Sequence, residues 1–509
     1  MQAATRQSAQ LPATPPEVAA GAGCMGPMER IRRLGRGSWR YVGLILLLLV
    51  FYNSGAEWIR VQKPQLRSAQ DLVTQGLVWP PWRALQLYVS HDSDEHLFFE
   101  YTRLILGEEA DLDYIAAANH GDTQAIKAQL RQKFPPLTGR RFPYRYIAVG
   151  YPPVGLLTLL LPRLWASTLA GYRLAFGALM SVLFLGTMAL GWRLQKLCGS
   201  PLQKEQFYKY TALLLFCVGP TLMMRYDIVP ALLTAAVVLA LIERRALLAT
   251  FFFSLGVAAK LYPALLMPTW LALLLGFSAM ARRTALRVLA VLTALSLLVI
   301  GAMVVKGAAL PLVAERITFS VRPFQLESIP GALLALPNWP ASLSSSFGSY
   351  NAQGALATRL LPYWEILIAT TALAVAGLAF VWARRRRHFS PAEQGQALCA
   401  WTLTALLCNL CVTKVLSAQY LIWCLPFAAL LPGRRGRFML AALAVTLFLT
   451  QAIYPTLYGA LIAGSGPVFF LLLLRNAFLC ASCAACLVWL WRGRLTLAGA
   501  EPAVPCRNR

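Results

Sequence analysis

The chain has 509 residues, 58% of them hydrophobic and 13% charged, with a formal net charge of +26. Apolar runs recur from residue 41 almost to residue 491. So many long uncharged stretches exclude a soluble globular protein and suit a polytopic membrane protein. On a soluble chain the basic excess would suggest nucleic acid. Here it sits in short clusters between apolar runs, the pattern that orients helices in a bilayer, so no nucleic-acid partner is expected.

Residues 1–40 are rich in Ala, Pro, Gly and Arg without apolar periodicity and read as a disordered, basic cytoplasmic tail. Arg30, Arg32, Arg33, Arg36 and Arg40 crowd the first apolar run, 41–52. Asn53-Ser54-Gly55-Ala56 has the look of a cleavage site, but the long basic tail and Trp58 favour an uncleaved first helix. The stretch 56–150 holds eleven of the 21 acids, balanced by eleven Lys and Arg. A near-neutral loop in a strongly basic chain is expected outside the cytoplasm.

Within that loop lies His91-Asp92-Ser93-Asp94-Glu95-His96, followed at helical spacing by Leu97, Phe98, Tyr101, Leu104 and Ile105. This predicts a helix opened by Asp92 or Ser93 and stopped near Gly107. Asp94 falls one turn before Phe98 and two before Tyr101, which puts it on the apolar face, turned toward the protein. An acid so placed is either a helix cap or a catalytic group. Asp92, two residues away, faces differently. The two histidines flank these acids without a zinc-ligand spacing. No metal set is assigned and no cofactor is expected, a divalent cation being the alternative. A polar helical segment follows near 122–133, and the loop closes on Tyr144-Arg145-Tyr146 and Tyr151-Pro152-Pro153.

Apolar spans then run at 168–193, 207–223, 227–243, 246–260, 262–280, 285–305, 355–383, 396–414, 418–432, 437–455 and 466–491. With the first run they make about twelve membrane helices, and 151–164 reads as a re-entrant or interfacial piece. Alternation from a cytoplasmic start puts every dense basic cluster on one side: Arg193/Lys196/Lys204, Arg244/Arg245, Arg282/Arg283/Arg287, Arg384 with the three arginines after it, Arg434/Arg435/Arg437 and Arg492/Arg494. The expected organisation is an all-α integral membrane domain over 41–495, with extracytoplasmic loops at 56–150 and 306–354. A second cytoplasmic tail follows at 496–509.

The isolated polar residues that interrupt apolar sequence fall on the other side. Arg225 and Asp227 open one helix, and Lys260 with Tyr262 sits at the next outer turn. Arg322, Gln325 and Glu327 lie in the second outer loop, Lys414 and Gln419 at a later outer turn, and Arg475 in the outer half of the last helix. Ionisable groups at membrane depth are functional candidates, although an arginine or lysine at a helix end also snorkels. Carboxylates offer a general base, the cations counter-charge for a phosphate, and Tyr and Trp a surface for a sugar. Cys408/Cys411 and Cys480/Cys483/Cys486 have Cys-x-x-Cys spacing but lie inside apolar runs. There they read as small residues packing between helices. No GxxxxGK[ST], no GxGxxG between strand and helix and no HExxH motif is present.

Asp94-x-x-x-Phe98-x-x-Tyr101 with Gly107 and Tyr151-Pro152-Pro153 resembles the first-loop pattern of the integral-membrane glycosyltransferases of family 87. Arg225-x-Asp227-x-x-Pro230 and Lys260-x-Tyr262-Pro263 are similar to that family's middle block. Arg322-x-x-Gln325-x-Glu327-Ser328-Ile329-Pro330-Gly331 is similar to its second-loop block. Lys414-Val415-x-Ser417-x-Gln419-Tyr420-Leu421-Ile422-Trp423-x-x-Pro426 is the most specific match, and Arg475-Asn476 completes the set. The resemblance covers about residues 85–480. It implies the GT-C fold and an inverting transfer of a hexosyl group, typically mannosyl, from a polyprenyl-phosphate sugar to an extracytoplasmic glycan or glycolipid acceptor. The setting implied is a bacterial inner membrane with both termini cytoplasmic. Carried over, the base is Asp94, with Asp92 open as the alternative. Arg225, Asp227, Lys260, Tyr262, Arg322, Gln325, Glu327, Lys414, Gln419 and Arg475 are carried over as donor-phosphate and substrate-binding residues. The long insertion at 111–141 departs from the family pattern and leaves the acceptor open. The rival readings are a lipid-linked sugar flippase or transporter, and a related transferase with an arabinose- or aminoarabinose-type donor.

Overall fold

A computed structural model describes residues 38–53, 94–111, 151–199, 204–306, 321–346, 349–430 and 433–492. Most of both expected tails, Asp92 and the 112–150 part of the first loop lie outside the described residues. The described chain is mostly helical. Among the described residues, five helices are long and apolar enough to cross a membrane: Leu169–Leu197, Ala355–Arg385, Pro391–Val412, Gly433–Ile462 and Gly466–Trp491. This is a membrane protein. Large apolar side chains such as Leu247, Phe251, Ile366, Leu373 and Phe470 point outward, as lipid-facing residues do.

Other apolar windows fold into shorter elements. Ile228–Ile242, Ala246–Ala259 and Tyr262–Gly276 have 15, 14 and 15 residues. At 1.5 Å per residue each is about 21–23 Å long, less than a hydrocarbon core of about 30 Å. The expected span at 418–432 is not one helix. Ala418–Cys424 is a 3-10 helix followed by a four-residue α-turn, Leu425–Ala428. That stretch is almost wholly buried in protein, which is why its hydropathy resembles a membrane span. The 151–164 run is a short helix, Pro153–Leu160, extended by a 3-10 turn, Leu161–Leu164.

The Pro391–Val412 helix is buried along nearly its whole length and forms the centre of the bundle. Ser390 and Glu393 cap its start reciprocally. At its other end the chain turns extended at Thr413, presents Lys414, and enters the 3-10 helix that carries Tyr420 and Trp423. The Gly433–Ile462 segment is broken at Tyr454, whose backbone is non-helical, before Pro455. Proline cannot continue the hydrogen-bond ladder, so the break falls there.

The second loop departs from the all-helical expectation. Three short strands, β1 (Phe324–Gln325), β2 (Leu343–Ser346) and β3 (Ser349–Ala352), form an antiparallel sheet in the order β1-β3-β2. The β1 residue Gln325 also donates its backbone N–H to the Lys414 carbonyl at 2.9 Å, which ties the sheet to the end of the central helix. Ser328 then caps a short helix, Ile329–Ala335: its Oγ accepts from Gly331 N and donates to the Gln325 carbonyl. This fold-back presses Gly331 against β1, where a Cβ would collide with the Gln325 carbonyl oxygen. Gly331→Ala is therefore expected to cost about 1–3 kcal/mol through overpacking. An unchanged melting temperature in purified protein would contradict this geometry.

Candidate functional site

The site begins with a buried ion pair. Asp227 stands at the N-terminus of the Ile228–Ile242 helix, 1% exposed, where the helix dipole favours a negative charge. Lys260 follows the Ala246–Ala259 helix in extended backbone and places its Nζ 2.7 Å from Asp227 Oδ1. Trp423 Nε1 donates to the same oxygen at 2.8 Å. A charge in an apolar bundle is tolerated when paired and hydrogen-bonded, and both conditions are met.

Aromatic rings wall this pair. Lys260 Nζ lies 4.6 Å from the Tyr420 ring centroid, 5.2 Å from Tyr226 and 5.4 Å from Trp423, within cation–π range. Trp423 is stacked on both faces, by Tyr262 at 3.9 Å and Tyr420 at 4.4 Å. Tyr262 in turn shares a hydroxyl hydrogen bond with Thr234 and donates to the Pro230 carbonyl. With both faces covered, Trp423 holds Asp227 and cannot also stack on a ligand. Gln419 sits half-buried on the same 3-10 turn, one residue before Tyr420.

The first-loop helix docks against this wall. Asp94–Leu106 ends at Gly107, whose φ of 79° no other residue adopts easily. Its buried Phe98 and Tyr101 both pack edge-on against Tyr151, and Tyr151 packs edge-on against Tyr226. Asp94 is the first residue of this helix, one turn before Phe98. Tyr151 also lies within electrostatic reach of Asp227 and Arg322. Glu100 accepts from Arg103 and from the Asp111 backbone N–H at 2.6 Å, closing the helix end.

A second group of polar side chains continues the layer. Arg225 Nη2 reaches the Tyr454 hydroxyl at 3.5 Å, and Tyr454 packs edge-on against Tyr458. Tyr458 lies within interaction reach of the Glu327 carboxylate. Arg475, 2% exposed, donates from Nη2 to the Glu327 carbonyl at 2.9 Å. Burial pushes the Glu327 carboxyl above its ordinary value of 4.5, against the opposing pull of Tyr458, Arg475 and Gln325. Lys414, 0% exposed, lies 3.9 Å from Glu365. Among the described residues, Gln325 Oε1, Glu327 Oε2, Arg475 Nε and both amide atoms of Asn476 have no hydrogen-bond partner although buried.

Residues expected from the sequence thus gather into one layer. Asp227, Lys260 and Tyr262 meet at its core; Arg225, Glu327 and Arg475 are joined through Tyr454 and Tyr458; Gln325 and Lys414 share a backbone bond. Asp92 lies outside the described residues. Sequence reasoning missed Glu365, the sole acid of the 355–383 apolar run and hence visible by the rule that flagged the others. It also missed the structural task of Trp423 and the tyrosines 226, 454 and 458, which no spacing marks. Among the described residues, no three His, Cys, Asp or Glu side chains converge in a way that would hold a metal. Compared with known proteins, the chain matches no family model, no curated protein and no solved structure.

Two outcomes test this geometry. Lys260→Met strands a buried carboxylate and is expected to cost about 3–5 kcal/mol, part of it recovered by adding Asp227→Asn. A double variant no more stable than Lys260→Met would contradict the pairing. For Glu327 the folded chain retains a proton that the unfolded chain has lost. Its stability is full below the ordinary carboxyl value and declines as pH rises through the raised one. Glu327→Gln should flatten this decline in a melting-temperature series from about pH 4 to 8; parallel curves would refute it.

Proposed function

We propose that the protein is a membrane glycosyltransferase similar to family 87, with GT-C architecture and about twelve membrane passes. Its active site faces outside a bacterial inner membrane, and both termini are cytoplasmic. It moves a hexosyl group, mannosyl by family expectation, from a polyprenyl-phosphate donor to a glycan or glycolipid acceptor with inversion. A β-linked donor becomes an α-linked product. No cofactor is required in this scheme.

The observation that carries the reading is the polar layer itself. Ionisable and aromatic residues as far as 229 positions apart meet at the ends of apolar helices, and there a lipid-borne phosphate would come from the bilayer and a polar acceptor from water. Lys260 and Lys414 each face a carboxylate, Asp227 and Glu365. Half-buried Arg225 and Arg322 stand in the same layer and also offer counter-charge for a departing phosphate. The partnerless buried atoms of Gln325, Glu327, Arg475 and Asn476 suit the hydroxyls of a sugar, since such atoms are costly unless a ligand or water satisfies them.

In this mechanism Asp94 takes the proton of the acceptor hydroxyl as that oxygen attacks the anomeric carbon. The bond to the phosphate oxygen breaks, and the charge left on the lipid phosphate is stabilised by the arginines. The docking of Phe98 and Tyr101 through Tyr151 onto Tyr226 supports this role, because it brings the helix that Asp94 opens beside the ion pair.

The test supplies labelled polyprenyl-phosphate mannose and a lipid extract to purified protein and follows release of polyprenyl phosphate. Asp94→Asn should lower transfer at least about a hundredfold with the melting temperature unchanged. Full activity in that variant with Asp92→Asn inactive would move the base by two residues. Failure to release lipid phosphate from any polyprenyl-phosphate sugar would overturn the reading.

A further inference from the structure

None of the eleven cysteines takes part in the proposed transfer, and five of them stand on two facing helices. Cys408 and Cys411 lie three apart on the Pro391–Val412 helix, and Cys480, Cys483 and Cys486 repeat that spacing on Gly466–Trp491. Residues three apart share a helix face. The two helices pack side by side and these faces meet. Cys408 Sγ lies 3.3 Å from Cys483 Sγ, and Cys411 lies close enough to both Cys480 and Cys483 for their thiols to interact. All four are free thiols, and they form a ladder with graded access. Cys480 is exposed on the bundle surface, Cys411 is half-buried, and Cys408 and Cys483 are buried.

Small-residue packing alone would be served as well by Ala or Ser. It does not account for sulfur facing sulfur on successive turns with one thiol opening toward lipid. A disulfide needs sulfurs about 2.0 Å apart, within side-chain rotation of the contact observed.

We propose that this ladder is a redox site, in which a membrane-soluble quinone oxidises the thiols and an interhelix disulfide comes to rest between Cys408 and Cys483. In the first step Cys480 and Cys411 lose their S–H bonds and form one S–S bond. Two electrons and two protons pass to the quinone, which leaves as hydroquinone. Cys483 then attacks the Cys411 sulfur and releases Cys480 as a thiol. Cys408 attacks Cys483 and releases Cys411. Each exchange moves one proton from the attacking to the leaving sulfur and transfers no electrons. The final bond staples together the two helices that carry Arg475 and lead into Lys414, so oxidation stiffens the support of the polar layer. The site stands independently of the transferase reading.

The test uses the full chain, reduced and reconstituted in lipid nanodiscs. It is exposed to duroquinone, whose fully methylated ring oxidises thiols without adding to them. The sample is then denatured, alkylated with N-ethylmaleimide, digested and weighed. The expected product is a reductant-sensitive cross-link between the Cys408 and Cys483 peptides. A Cys411–Cys480 cross-link should precede it in the wild-type time course. The melting temperature should rise on oxidation in the wild type but not in a variant with all four cysteines replaced by Ser, Cys408→Ser should stop the relay at a Cys411 cross-link, and Cys480→Ser should slow the Cys408–Cys483 cross-link roughly tenfold. Complete alkylation of all four cysteines after quinone treatment would overturn the proposal, as would a cross-link that forms at the same rate in Cys480→Ser.

Discussion

A carboxylate and an ammonium buried together in an apolar bundle set the terms for everything around them. Asp227 and Lys260 would each be prohibitive alone at this depth, so the folded chain must deliver them to one point and fill the remaining bonding capacity. Trp423 fills one position with its indole N–H, and three rings close over the ammonium. These constraints reach far along the chain. The central helix must end at Val412 so that the 3-10 turn after it can swing Trp423 back to Asp227. The first-loop helix must dock through Tyr151 onto Tyr226, which is itself a wall of the cage.

The same requirement explains how the second loop is built. Gln325 is hydrogen-bonded to the backbone at Lys414, and Gly331 is pressed onto β1 because no side chain fits there. Glu327 is thereby held over Arg475 on the last long helix. Two polar clusters, one around Asp227 and one around Glu327, are bridged by Arg225, Tyr454 and Tyr458. The break at Tyr454 makes that bridge possible, since a continuous helix would carry the phenol along the helix surface in a different direction. A layer assembled this way combines fixed charge, rings and partnerless buried hydrogen-bonding atoms, the features on which the proposed transfer draws.

Much of this was legible in the sequence. Membrane residence follows from hydropathy alone. The isolated charges Asp227, Lys260, Lys414 and Arg475 declared themselves because apolar runs tolerate no idle charge. The period of Leu97, Phe98, Tyr101, Leu104 and Ile105 foretold the first-loop helix and its buried face. Other features were not legible because they depend on tertiary partners. The 418–432 window has the hydropathy of a membrane span, yet residues 421–430 within it are all buried in protein. The sheet of the second loop rests on three strands of four residues or fewer, too short for a period to register. Which tyrosines form the cage is decided by where helices end. Cys-x-x-Cys inside an apolar helix is ambiguous until the facing helix is seen to carry the matching thiols.

The proposed transfer requires the polar layer to face the outside and the arginine clusters to face the cytoplasm. The Ala355–Arg385 helix offers the most direct check, since exposed Gln353 precedes it beside the sheet and exposed His388 follows it beyond the arginine run. Single cysteines placed at 353 and at 388 in a cysteine-free background, in intact cells, can be treated with a membrane-impermeant maleimide. Labelling at 353 and protection at 388 until the membrane is permeabilised is the result expected. Labelling of both from outside, or of 388 alone, would put the layer on the wrong side of the membrane and contradict the account.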